Sequence, residues 1–284
     1  WTPRFEEPRA ADFAALKGEF RALLRQAVER QLVGGKPACF LSGGTDSSTV
    51  AGLIREVSGQ APASYSIGFE AEGYDEMAYA RIAARHFGTE HHEYYVTPDD
   101  LVRSIPLVAA HHDQPFGNSS AVPAYHCALR ARDDGITRML AGDGGDELFG
   151  GNSRYAKQRL FGWYGQLPGW LRSGVLEPVF DNSFMRSLPV LRKGGRYIEQ
   201  AKVPLPARLQ LDNLLSMLGL TQVLAPSFLA AVQVDQVQRE QRDTWAWPGP
   251  TSDINAMLAF DWRYTLAEND LPKVRESVRL AGLE

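Results

Sequence analysis

Only two cysteines, Cys39 and Cys127, occur in 284 residues. Two thiols cannot build a disulfide framework or supply a four-cysteine zinc site. Both sit in apolar segments, the setting of buried free thiols in a reducing compartment, so a cytoplasmic location is expected. No apolar run is long enough to span a bilayer and no signal peptide leads the chain, which removes the membrane as an expected partner. Basic charge is not in excess: 30 Lys and Arg face 34 Asp and Glu, a formal net charge of −4. A nucleic-acid backbone calls for a basic stripe, so no nucleic-acid partner is expected either. Internal repeats and low-complexity tracts are also missing. The remaining composition, 44% apolar and 23% charged, is that of a globular chain able to bury one large core or two modest ones.

Along the chain, Phe13, Leu16, Phe20, Leu23, Leu24, Ala27, Val28 and Leu32 recur at three- and four-residue steps. This spacing predicts an amphipathic helix over 12–33, ended by Gly34-Gly35 and Pro37. Strand patterns follow at 37–41, 63–69, 92–96 and 136–141, with helical patterns at 46–57, 75–87, 98–112 and 121–133 between them. Such alternation predicts an α/β fold, a parallel sheet flanked by helices. Ligands of these folds bind beyond the carboxyl ends of the strands. After about residue 150 the alternation stops, and leucines, aromatics and prolines recur as in a set of short helices. The expected organisation is an N-terminal helix packing on the sheet (1–35), an α/β core (36–155) and a mostly helical substrate-side region (156–284).

Two glycine-rich stretches follow strand patterns. In the first, Ser42-Gly43-Gly44-Thr45-Asp46-Ser47-Ser48 joins the apolar run Ala38–Leu41 to a helix start. Free amides of a glycine turn and of a first helical turn, with the helix dipole behind them, make an anion site. Hydroxyls of Ser42, Ser47 and Ser48 add donors, and Asp46 can hold a divalent cation facing bound phosphates. The loop therefore points to a magnesium-dependent enzyme that grips the pyrophosphate part of ATP. The second stretch runs Gly142-Asp143-Gly144-Gly145-Asp146-Glu147-Leu148-Phe149-Gly150-Gly151. Three carboxylates among glycines repel one another, and a cation relieves that repulsion. Magnesium takes few carboxylates plus phosphate oxygens, so Asp46 and Asp146 form a candidate clamp on one triphosphate.

The first loop resembles the pyrophosphate-binding loop of the ATP pyrophosphatases. Together with Gly142–Gly151 it resembles the synthetase domain of the asparagine synthetase family of glutamine-dependent amidotransferases. Gly88-Thr89-Glu90-His91-His92-Glu93, Asp113-Gln114-Pro115 and Leu271-Pro272-Lys273-Val274 sit where that family carries similar text. The resemblance implies the PP-loop ATP pyrophosphatase fold (adenine-nucleotide alpha-hydrolase type). It implies an ATP- and Mg2+-dependent ligase that adenylates a small carboxylate, aspartate or a related acceptor, releases pyrophosphate and transfers ammonia to give an amide. On that reading Leu41, Ile67, Gly68 and Gly142 seat the adenosine, and Ser42, Gly43, Gly44, Asp46, Ser47 and Ser48 hold the pyrophosphate. Asp46 and Asp146 hold the metal, Lys273 is the electrostatic catalyst, and Asp143 stands where the family carries a Glu proposed as base. Asn152, where the family often has Tyr, and Arg275-Glu276, where it continues with Asp-Arg, are departures.

The family's glutaminase uses an N-terminal cysteine, whereas this chain opens at Trp1 and stops at Gly282-Leu283-Glu284 inside a family motif. A piece of a longer protein is expected, cut at its C-terminus, with a glutaminase domain upstream in the full chain. A homodimer is compatible with the sequence. Two other readings stand beside the ligase: a non-catalytic ATP-binding module, and another PP-loop ATP pyrophosphatase such as a tRNA thiolation enzyme. Among the histidines, consecutive His91 and His92 in a strand point to opposite faces, so packing roles are expected for them and for His111 and His112. Asp113 is the residue of that neighbourhood expected to line the cleft.

Overall fold

The computed structural model describes residues 12–69, 76–181, 189–211, 213–247, 249 and 252–284. Its contacts divide the described residues into two units, one of 12–148 with Tyr264–Glu284, the other within Phe149–Arg263. The first carries a parallel sheet of β1 (Ala38–Phe40), β2 (Ala63–Phe69) and β3 (Glu90–Val96), in the order β1-β2-β3. Its helices are α1 (Phe13–Gln31), α2 (Thr45–Ser58), α3 (Met77–Phe87), α4 (Pro98–His111), α5 (Ala121–Asp133), α6 (Gly145–Phe149) and α7 (Leu271–Leu280). The register pairs Ala38 with Ala63 and Tyr65 with His92.

Successive strand side chains alternate between two cores. Cys39 and Leu41 pack with Val28, Ala51, Ile54, Met77 and Ala80 from the first three helices. Ala38, Ala63 and Tyr65 pack on the other face with Cys127, Ala128 and Ala131 of α5 and Val278 and Ala281 of α7. Ile54 is fully buried and Leu41 is 2% exposed, each such side chain contributing about 1.5–3 kcal/mol. Helix starts follow local chemistry. Asp12 accepts from the Ala14 amide at the head of α1, and Thr97 with Asp100 forms a capping box before Pro98 at the head of α4.

Three of the four expected strands form. The fourth, 136–141, is reduced to a single bridge, Cys39 to Leu140. Phe40 N donates to Leu140 O at 3.0 Å and Leu140 N to Ala38 O at 2.9 Å. β1 offers only three residues, too few for a longer ladder, and Gly142 then turns the chain away. On its other side the same stretch meets the last residue: Glu284 N donates to Thr137 O at 2.9 Å and Met139 N to Glu284 O at 3.0 Å. Residues 264–284, placed by the sequence reading with the helical region, thus group with the sheet. The physical cause is tertiary: Val278, Ala281 and Leu283 are buried in the α5 core, which local periodicity does not reveal.

The helical unit contains the helices Ser153–Gln166, Pro189–Lys202, Gln236–Trp245 and Asp253–Asp261, with shorter turns between. Asn152 caps the first of these, its Oδ1 accepting from Arg154 N at 2.9 Å, which gives this departure from the family a local role. Asp261 is 1% exposed, ion-paired with Arg154, and accepts from the Tyr155 hydroxyl at 2.6 Å. Arg208 donates to the Val203 and Ala201 carbonyls at 2.7 and 3.0 Å, satisfying groups at the end of Pro189–Lys202.

Candidate active site

The two glycine-rich turns lie against each other at the carboxyl end of β1. Gly43 has φ +83°, and a β-carbon there would lie 2.4 Å from the backbone of Tyr79 and Ala80. The loop is pressed onto the start of α3 as only glycine allows. Its own hydroxyls close it: Ser42 N donates to Ser47 Oγ at 3.2 Å, Gly44 N to Ser42 Oγ at 3.3 Å, and the two hydroxyls meet at 3.0 Å. The second turn is seated on the head of α2. A β-carbon on Gly142 would fall 2.6 Å from Ser47 N, and one on Gly145 would fall 2.3 Å from Asp46 Oδ2. The Asp46 carboxyl therefore rests on the backbone that leads into Asp146.

Both turns border a cavity of about 800 Å³ within the sheet unit. Leu41, Ser42, Asp46, Ser47, Ile67, Gly142, Asp143, Asp146 and Lys273, all singled out from the sequence, line it. Phe40, Ile67 and Phe69 give it an apolar wall, while Asp46, Asp143, Asp146, Glu147 and Asp270 line it together with one lysine, Lys273. Burial, then Asp146, then Asp143 raise the Asp46 pKa above its ordinary value. Lys273 lies 2.5 Å from Asp143 Oδ1 and 3.4 Å from Asp270 Oδ1. Burial works to lower its pKa, but the Asp143 and Asp270 carboxylates outweigh that and hold it raised. No three His, Cys, Asp or Glu side chains among the described residues gather as a metal-binding set. Two mutually repelling carboxylates beside a phosphate-sized turn fit magnesium, which completes its shell with phosphate and water oxygens.

Gly43, Gly44, Ser48 and Gly68 do not line the cavity. Gly44 is the N-cap of α2, and Ser48 Oγ is buried with no hydrogen-bond partner among the described residues. At Gly68 a β-carbon would lie 2.5 Å from the Tyr95 ring, so the glycine accommodates that side chain. Asp113 is exposed and not on the wall, contrary to expectation, because the loop after α4 carries it outward. The histidines are engaged by neighbours: His92 stacks on Tyr65 at 4.7 Å, His91 Nδ1 lies 3.0 Å from Ser64 Oγ, His112 Nδ1 lies 2.8 Å from Val108 O, and His111 lies 3.2 Å from Glu276. Burial pushes the Cys39 thiol up to about 12, an inert group. Sequence reasoning passed over Asp270. Its spacing of three residues from Lys273 was the available signal.

A provisionally named glutamine-hydrolyzing asparagine synthetase 2 of Methanocaldococcus jannaschii is 39% identical over 156 residues, 54% of this chain and 30% of the relative. Glutamine-hydrolyzing asparagine synthetase 1 of Bacillus subtilis is 31% identical over 170 residues, 58% of this chain and 27% of the relative. The chain thus covers less than a third of the length of either. Among solved structures, the U34-tRNA thiolase NcsA of Methanococcus maripaludis matches at 15% identity over 93% of this chain and 80% of that one, with a TM-score of 0.34. That likeness is too slight to carry an argument. The profile of the asparagine synthase family matches residues 19–284, and the chain belongs to that family.

Proposed function

We propose that this chain is the ATP-dependent, amide-forming part of an asparagine synthetase-like ligase, with ATP and Mg2+ as its nucleotide and metal. The reading is carried by one observation: the serine-bearing turn and the acidic turn share a single cavity, with the Asp46 carboxyl against the Gly145 backbone. In the proposed reaction a carboxylate oxygen of the acceptor attacks the α-phosphorus of ATP, and the bond to pyrophosphate breaks. Ammonia then attacks the acyl carbon of the acyl-adenylate, AMP leaves, and the extra proton passes to a carboxylate.

The side chains supply position and charge, which is most of what phosphoryl chemistry needs. Amides and hydroxyls of 42–48 would hold the departing pyrophosphate at the head of α2. Asp46 and Asp146 would hold magnesium, which when bound neutralises phosphate charge and relieves their repulsion. Lys273 would face the charge that develops at the α-phosphate or acyl oxygen, and Asp143 would take the proton from the incoming amine. The apolar wall of Leu41 and Ile67 suits the adenine ring. Aspartate is the first acceptor to try, ammonia the nitrogen source, and a glutaminase domain the expected supplier of that ammonia.

The test is pyrophosphate release from Mg-ATP by this chain, with aspartate and related carboxylates, with and without ammonium. Release that needs the acceptor, that is sustained only when nitrogen is also present, and that disappears in D46N and D146N, is expected. Tight Mg-ATP binding without pyrophosphate from any acceptor would overturn the ligase in favour of a binding module.

A further inference from the structure

Lys273 stands between two carboxylates, and the two are attached in different ways. Asp143 belongs to the glycine-flanked turn Gly142-Asp143-Gly144, which would have to accommodate phosphates. Asp270 is the last residue of the π-helical stretch Trp262–Asp270, which runs directly into α7, the helix that carries Lys273 itself. Motion of the glycine turn changes the distance from Lys273 to Asp143 and leaves the distance to Asp270 as it is. From outside the helix, the Asn118 amide donates to Oδ1 of the preceding residue, Asn269, at 3.3 Å. The Asp270 side chain is 19% exposed and lies on the cavity wall.

Electrostatics favours such a partner. Lys273 is the third residue of α7, which continues the π-helical stretch Trp262–Asp270 without a break, and burial disfavours its charge. Its side chain is 15% exposed, so water offsets little of that cost. A carboxylate one turn back on the same helical stretch offsets the burial.

We propose that Asp270 is a positioning residue for Lys273, holding the ammonium at the cavity wall when Asp143 lets it go. Lys273 then has one fixed and one exchangeable partner. Exchange would leave Asp143 ionised beside the acceptor, ready for a proton, while Lys273 remains directed at the developing anion.

The test reads the lysine amine directly. Competitive acetylation with acetic anhydride, followed by peptide mass spectrometry, gives the labelling rate of Lys273 relative to exposed Lys17. In D143N, Lys273 stays protected, its rate rising by no more than about threefold, whereas D143N/D270N releases it by about tenfold or more. D143N alone decides the matter should the double variant not fold: labelling as fast as Lys17 would show that Asp270 holds nothing. A second arm rests on the proposed ligase reading. There D270N lowers kcat about tenfold with KM for ATP unchanged, and D270E restores part of the rate. A loss carried in KM, or equal in D270E, would overturn the positioning role. Acetylation needs no turnover, so a chain without ligase activity fails the kinetic arm alone.

Discussion

The two units treat charge withdrawn wholly or partly from water in opposite ways. In the helical unit, Asp261 is 1% exposed and matched at once by Arg154 and the Tyr155 hydroxyl. In the sheet unit, Asp46 faces Asp146 and Asp143, and its pKa rises through burial and their repulsion. A satisfied buried charge is an element of architecture. A dissatisfied one, in a cavity, marks where a ligand has to complete the electrostatics.

The contrast breaks first if Asp261 proves dispensable. Asp261→Ala leaves the Arg154 guanidinium without its carboxylate and should cost about 3 kcal/mol, read by urea unfolding. A loss under about 1 kcal/mol would mean the pair is not structural. Next is Gly142→Ala, whose new methyl would lie 2.6 Å from Ser47 N. Overpacking of that kind costs about 1–3 kcal/mol, and because it displaces the head of α2, Mg-ATP affinity measured by calorimetry should fall with it. Asn152→Ala removes the cap of Ser153–Gln166 and should cost about 1 kcal/mol in the same unfolding assay.

The smallest effect on stability is the most diagnostic. Asp46→Asn should leave the thermal midpoint unchanged or slightly higher, while Mg-ATP binding is lost. The sign follows from the raised pKa. Between the ordinary carboxylate value and the raised one, the folded state binds more protons than the unfolded, so stability falls as pH increases through that window. Asp46→Asn should flatten this slope, and added magnesium should flatten it in the unaltered chain. A D46N variant that melts several degrees lower would place Asp46 with Asp261 among structural charges.

Much of the sheet unit was legible because its signals are local. Residues 63–69 and 121–133 are a strand and a helix with the expected limits, and β3 differs only in starting at Glu90, whose amide reaches Pro62 O at 2.9 Å. Glycine with acid or hydroxyl at the ends of strands picked out Ser42, Asp46, Ser47, Gly142, Asp143 and Asp146, which line one cavity, while Leu41, Ile67 and Lys273 came from the family resemblance. What stayed hidden spans long separations. The contact from Asp143 to Lys273 crosses 130 residues, and the return of α7 to the sheet depends on side chains buried from afar. Gly68 is off the cavity wall because strand alternation puts Ile67 toward the cavity and its neighbour toward Tyr95. No periodicity announced Asp261 either, since a buried carboxylate is recognisable only beside its partners.

The extended stretch 136–141 ends just before Asp143, and its earlier residues Thr137 and Met139 are bonded to Glu284, close behind the helix of Lys273. Ser277 Oγ adds a bond from α7 to the Ala121 carbonyl at 2.9 Å. Both ends of the lysine–carboxylate bridge therefore hang from one rail. The separation of the lysine and the carboxylate is thus set on a shared frame, leaving the side chains themselves as the part an entering ligand can rearrange.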